Sequence, residues 1–125
     1  MQADISVTLP AKSEFIHVIR SVVATIAARL DFSVDDINDL RLVVDEACGQ
    51  LLGLRGGATV LTLKLIPGPG FLELMVSTDG SYSWPPHGQN ALAWEILSAL
   101  SDESGFEHVD GGPTIKLAKR VRPVA

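Results

Sequence analysis

The sequence predicts an α+β domain. It is a two-layer α/β sandwich, with one mixed, mainly antiparallel sheet and helices on one face, in the order β-α-α-β-β-α-β-β. Three observations predict it. Residues 14–30 and 34–52 repeat apolar side chains at the 3.6-residue period of amphipathic helices. Five other stretches have strand length and alternate apolar with polar residues or run apolar. Turn residues join four of those strands into two hairpins, at Pro67–Gly70 and at Gly111–Gly112, with a third helix between them.

Residues 4–9 alternate as a half-buried strand that Pro10 ends. Ser13 is placed to cap a first helix over 14–30, in which Phe15, Ile19, Val22, Val23, Ile26 and Leu30 form the apolar stripe. Val18 and Ala27 widen that stripe, enough for a second contact surface. Ser33 followed by Asp36 resembles a capping box, and the acidic first turn suits the helix dipole of a second helix over 34–52. Gly53, Gly56 and Gly57 break it. Residues 59–66 and 71–77 read as paired strands. Residues 78–89 are a polar loop holding Tyr82, Trp84 and His87, long for a small domain and so a functional candidate. Asn90 can cap a third helix to about Ser101, and residues 106–110 and 114–119 form the last hairpin.

With 125 residues, no repeats and no linker, residues 1–125 are expected to form one domain. No apolar run approaches the roughly 20 residues that span a bilayer, and no signal peptide follows Met1. The single cysteine, Cys48, falls on the apolar stripe of the second helix, where it acts as a small hydrophobe. A cytoplasmic protein is the expectation. A net charge of −5 argues against nonspecific nucleic-acid binding, and membrane contact is not expected. His17, His87 and His108 lack metal-ligand spacing, and no phosphate-binding Gly-Lys-Ser/Thr loop, Gly-x-Ser-x-Gly or Cys-x-x-Cys occurs.

The unusual chemistry sits in the second helix. Ile37, Leu40, Val44, Ala47, Cys48 and Leu51 make its core stripe. Glu46 and Gln50, one turn apart, are expected roughly opposite that stripe, beside Leu42, Val43 and Leu54. A carboxylate and an amide among apolar neighbours point to a ligand or partner on that side; the alternative is a satisfied polar pair beneath a loop. A carboxylate can act as general base on a hydroxyl, and an amide oxygen can help hold hydrated Mg²⁺. An Asp at a strand end, as in Thr78-Asp79-Gly80, can accept from an adenine amino group.

Residues 9–14 (LPAKSE) with Arg20, residues 39–48 (DLRLVVDEAC) and residues 112–120 (GPTIKLAKR) together resemble the anti-sigma factor serine kinases of the RsbW and SpoIIAB type, in the GHKL ATPase superfamily. The resemblance covers about residues 5–120. It implies the Bergerat ATPase sandwich, with ATP and Mg²⁺ held between the helices and a lid. It also implies a homodimer that binds a sigma factor and phosphorylates a STAS-type anti-anti-sigma protein. Glu46 matches the proposed base, and Arg20, with Glu14, matches the partner-contact region. Asp79, Gly80, Gly88 and Thr114 are the remaining candidates for the nucleotide site.

The departures are specific. The family's Mg²⁺ asparagine is Gln50, one methylene longer. The adenine box Asp-x-Gly-x-Gly is broken in either register. With Gly80 as its first glycine, Thr78 takes the Asp position and Tyr82 the second glycine; with Asp79 as its Asp, the glycines become Ser81 and Ser83. The glycine-rich lid shortens to residues 85–89, leaving Gly88, and the final Gly-x-Thr survives as Gly112 to Thr114. Actinobacterial members look similarly eroded. The leading expectation is therefore an anti-sigma factor with a degenerate ATP site, serving as a bacterial stress or development regulator. An active serine/threonine kinase and a non-catalytic partner-binding domain of the same fold are the alternatives.

Overall fold

The computed structural model describes residues 4–53, 58–79, 91–109 and 112–122. Strands β1 (Ile5–Pro10), β2 (Val60–Gly68), β3 (Phe71–Thr78), β4 (Glu103–Val109) and β5 (Gly112–Arg120) form one sheet in the order β1-β2-β3-β5-β4. Helices α1 (Ile16–Arg29), α2 (Val34–Leu52) and α3 (Ala91–Leu100) carry the other layer, with a 3-10 turn at Ser13–Phe15 before α1. All four ladders are antiparallel, so the sheet lacks the parallel pair that "mixed" allowed. The reason is topological: β3 and β4 point the same way across the α3 connection, but β5 inserts between them.

Strand alternation decides the faces. Leu61, Leu63, Leu65, Leu72, Leu74 and Val76 are fully buried on one side, facing the helices. The other side carries Thr62, Lys64, Glu73 and Lys116, where Lys116 pairs with Glu73 at 3.3 Å. The β2–β3 turn is tighter than expected. β2 runs on through Pro67 and Gly68, leaving Pro69 and Gly70, with Gly70 at φ +65°. Proline followed by a left-handed glycine is the residue placement of a type II turn.

Helix ends differ from expectation at one point and match it at another. Ser13 makes no capping hydrogen bond; it opens the 3-10 turn, and α1 begins only at Ile16. α1 closes in a Schellman motif: Phe32 N–H donates to the Ala27 carbonyl (3.2 Å) and Asp31 N–H to that of Ala28 (3.3 Å). Asp31 takes the left-handed position (φ 65°), and Phe32 tucks into the core. At α2, Ser33 Oγ accepts from Asp36 N–H at 3.1 Å, half of the expected box. The Asp36 carboxylate does not reciprocate. Buried, it faces Lys119 Nζ at 3.7 Å and Arg122 at 3.5 Å. Lys119, also buried, donates to the Leu100 carbonyl at 2.8 Å and so ties the end of α3 to the start of α2.

α2 lies between α1 and α3 over the sheet. Its start is pinned over Lys119, which pairs with Leu72 in β3. A rise of about 1.5 Å per residue carries the helix about 21 Å from Asp36 to Gln50. Six strand residues carry β3 about 20 Å from Leu72 to Thr78. The C-terminal half of α2 and the end of β3 thus reach the same end of the domain.

Candidate functional site

The orientation of α2 is a correction to the sequence reading. Val43 is fully buried together with Leu40, Val44, Ala47, Cys48 and Leu51. The core face is therefore broader than the stripe read from periodicity, because the sheet and two flanking helices enclose it. Glu46 is three residues beyond Val43, about 60° around the helix, and Gln50 lies between the two directions. Both are half-buried at the border of the core face, not opposite it. The residue opposite the core is Leu42, 54% exposed.

The two borders of α2 have different neighbours. On one, Arg20 of α1 reaches Asp45 (Nε to Oδ1, 3.2 Å), and Arg41 joins His17, Arg20 and Ser21 around a shallow surface pocket. The pair meets the distance for an ion pair without hydrogen-bond alignment. That border faces α1. Glu46 and Gln50 are on the other, the α3 side. Arg20 is thus separated by the width of α2 from Glu46 and Gln50. Glu14 is exposed in the 3-10 turn, and its carbonyl accepts from His17 Nδ1 at 2.8 Å. Gly80 and Gly88, and the loop around them, lie outside the described residues, as does Leu54.

At the end of β3, strand alternation puts Thr78 on the helix face in line with Leu74 and Val76, and Asp79 follows just beyond the strand. Both Asp79 oxygens are engaged at the start of β2. Oδ1 accepts from Thr59 N–H (2.8 Å) and Val60 N–H (3.0 Å), and Oδ2 accepts from the Thr59 hydroxyl. The Thr59 hydroxyl, then these backbone donors, hold the Asp79 carboxyl down to about 2. It is a strand-end clasp. Thr78 is the reverse case: 2% exposed, with a hydroxyl that has no partner among the described residues.

Gly112 closes this corner. Its φ is +128°, and a Cβ there would come within 2.3 Å of the Thr78 carbonyl oxygen, so only glycine lets β5 approach this closely. Thr114, buried, falls opposite Ser77 on the face away from the helices, and its hydroxyl donates to the Gly112 carbonyl at 3.3 Å. Thr114 supports the turn, while Thr78 is on the sheet face that carries the helices. Cys48 is fully buried, and burial, then the nearby Asp45 charge, push its thiol up to about 12, which makes it a core side chain.

Thr78 is the residue that sequence reasoning underweighted. Its signal was present in one of the two readings of the broken adenine box, but only the facing of the strand distinguishes it from Asp79. Among the described residues, no three His, Cys, Asp or Glu side chains gather at one point. A metal at this site would take its oxygens from Gln50 and from a nucleotide's own phosphates.

No protein-family model matches the chain. It is similar to proteins named serine-protein kinase RsbW. Those of Bacillus thuringiensis (strain Al Hakam) and Bacillus anthracis are each 26% identical over 137 aligned positions, covering 94% of this chain and 85% of the relative. That of Bacillus cereus (strain Q1) matches with the same identity and coverage. Among solved structures, the RsbU and RsbW domains of a Mycobacterium tuberculosis protein match with a TM-score of 0.73 at 19% identity. That match covers 98% of this chain and 34% of the other, so the chain spans about a third of the matched protein. The chain is thus similar over 94% of its length to RsbW serine-protein kinases, and it shares the fold of a solved structure that contains an RsbW domain.

Proposed function

We propose that this chain is an anti-sigma factor, a single domain that sequesters an alternative sigma factor and is countered by a STAS-type anti-anti-sigma protein. A homodimer is part of this reading. The observation that carries it is the separation of the two borders of α2. Arg20 stands half-buried on the α1 side, ion-paired to Asp45 and across the width of α2 from Glu46 and Gln50. A partner docked there through Arg20 and Glu14 leaves the other border free, so partner binding does not need an intact phosphate-transfer site.

The nucleotide site in this reading is altered rather than absent. The residues fit ATP in part: a buried hydroxyl at Thr78 without a partner among the described residues, a close backbone approach at Gly112, and a carboxylate with an amide one turn apart on α2. Bound ATP with Mg²⁺ would supply the phosphoryl group. Glu46 would take the proton of a substrate hydroxyl, and Gln50 would contribute one oxygen to the metal. The pairing of Glu46 and Gln50 favours a surviving serine/threonine kinase as the second reading.

Affinity capture from the native lysate, with intact protein and with Arg20→Glu, tests the proposal. The intact protein is expected to recover a sigma factor, identified by mass spectrometry. Arg20→Glu sets a second carboxylate beside Asp45 and is expected to lower recovery by about tenfold or more. Recovery of no sigma factor by folded, intact protein overturns the proposal.

A further inference from the structure

We propose that the shallow pocket between α1 and α2, lined by His17, Arg20, Ser21 and Arg41, is an oxyanion site that takes a phosphoryl group, and that Asp45 is the internal carboxylate which this group displaces from Arg20. The pocket lies on the border of α2 where the proposed partner also docks, but a phosphoryl group bound there needs no sigma factor.

The pocket holds about 190 Å³, and each of its four side chains can donate a hydrogen bond. Its two guanidinium groups come from different helices, Arg20 from α1 and Arg41 from α2, in a chain with 10 Lys and Arg against 15 Asp and Glu. Two cations that share one pocket repel each other, and an anion between them relieves the repulsion. Arg41 has no ion pair among the described residues. His17 Nδ1–H donates to the Glu14 carbonyl at 2.8 Å, which leaves Nε2 as the ring nitrogen without a bond among the described residues.

The contact between Arg20 and Asp45 is incomplete. Nε and Oδ1 are 3.2 Å apart and both are shielded from solvent, yet neither has a hydrogen-bond partner among the described residues. Asp45 is one turn beyond Arg41 on α2 but does not line the pocket. Its carboxylate offsets one arginine from outside the pocket without satisfying it, and an anion that enters the pocket can do both.

Donor count selects the ligand. A carboxylate brings two oxygens and one charge, enough for one guanidinium fork. A phosphoryl ester brings three oxygens and nearly two charges at neutral pH, enough for both forks together with the Ser21 hydroxyl or the His17 ring.

A short capped phosphoserine peptide, inorganic phosphate and acetate, each titrated into the intact chain at constant ionic strength and followed by amide NMR shifts, test the site. Both phosphoryl probes are expected to move the amides of residues 17–21 and 41–45 and to saturate in the millimolar range, with acetate about tenfold weaker or more. Equal affinity for the peptide and for inorganic phosphate makes free phosphate the ligand, whereas tighter binding of the peptide makes it a phosphorylated protein side chain. Arg41→Gln is expected to weaken both probes by about tenfold, and Asp45→Asn to tighten both by about threefold or more. Asp35→Asn removes a carboxylate about 15 Å away along the same helix, beyond the screening length, and is expected to change neither. Absence of these shifts with phosphate well above the millimolar range overturns the proposal. Acetate as tight as phosphate also overturns it, as does Asp45→Asn with unchanged affinity or with no more effect than Asp35→Asn. A sigma factor still recovered by the same protein then leaves the anti-sigma reading standing, and phosphoryl binding without sigma recovery separates the two in the opposite sense.

Discussion

The two ends of α2 bury polar groups to the same depth and treat them in opposite ways. At its start, Asp36 is 4% exposed and Lys119 3%, yet the carboxylate meets two cations and the ammonium meets a carboxylate and the Leu100 carbonyl. At the other end, Thr78 is 2% exposed and its hydroxyl meets nothing among the described residues. The first end is closed by its own chain: α2, α3 and β5 are clipped together by one lysine. At the second, Gly112 packs against the Thr78 carbonyl, while the Thr78 hydroxyl is covered without a partner among the described residues. Depth of burial therefore does not decide whether a polar group is satisfied in this domain; the partners within reach do.

The largest expected effect breaks the closed end. Lys119→Ala leaves the Leu100 carbonyl without its donor and the buried Asp36 carboxylate with only the solvent-exposed Arg122. A loss of about 3 kcal/mol follows from breaking a buried pair on one side. Urea unfolding at neutral pH measures it. A loss under about 1 kcal/mol would mean that the cluster is solvated and that the two ends are not different in kind. Gly112→Ala is next and tests the rigidity of the second end. Alanine at φ +128° is strained, and its Cβ would meet the Thr78 carbonyl at 2.3 Å, so a loss of about 2 kcal/mol is expected by the same measurement. A neutral outcome would show that β5 can shift at this corner, and that the Thr78 hydroxyl is not held in one place.

The closed end was not legible in the sequence. Alternation with Ile115 and Leu117 puts Lys119 on the helix face, but nothing local shows which carboxylate and carbonyl a lysine meets there. The bounds of α2 were legible, because Ser33, the acidic first turn and Gly53 punctuate a strong periodic run. Its facing was legible only in part. Val43 looked like an outer residue because the stripe was drawn for one contact surface, whereas α2 packs against the sheet and both neighbouring helices. Of the candidate site, the sequence marked the pairing of Glu46 with Gln50 and left the register at Thr78 and Asp79 open. The choice depends on which way a strand residue points, and that is set by the ladder with β2, twenty residues away in the chain.

The smallest expected effect sharpens the contrast between the neighbours Thr78 and Asp79. The carboxyl of Asp79 is held down to about 2 from an ordinary value of 3.8, first by the Thr59 hydroxyl and then by backbone N–H groups. A depressed carboxylate stabilises the folded state fully above the unfolded value. That contribution is lost as pH falls from about 4 through about 2. Asp79→Asn keeps an acceptor for one backbone donor but removes the charge, so the contribution disappears at every pH. The gap in urea midpoint between intact protein and Asp79→Asn should be present at pH 6 and should narrow by pH 3, while other carboxylates titrate equally in both proteins and cancel. A gap that stays constant with pH would mean that the ionised Asp79 does not clasp the start of β2. Its carboxylate would then be free for another partner, and the contrast between a clasping Asp79 and an unsatisfied Thr78 would fail at its first premise.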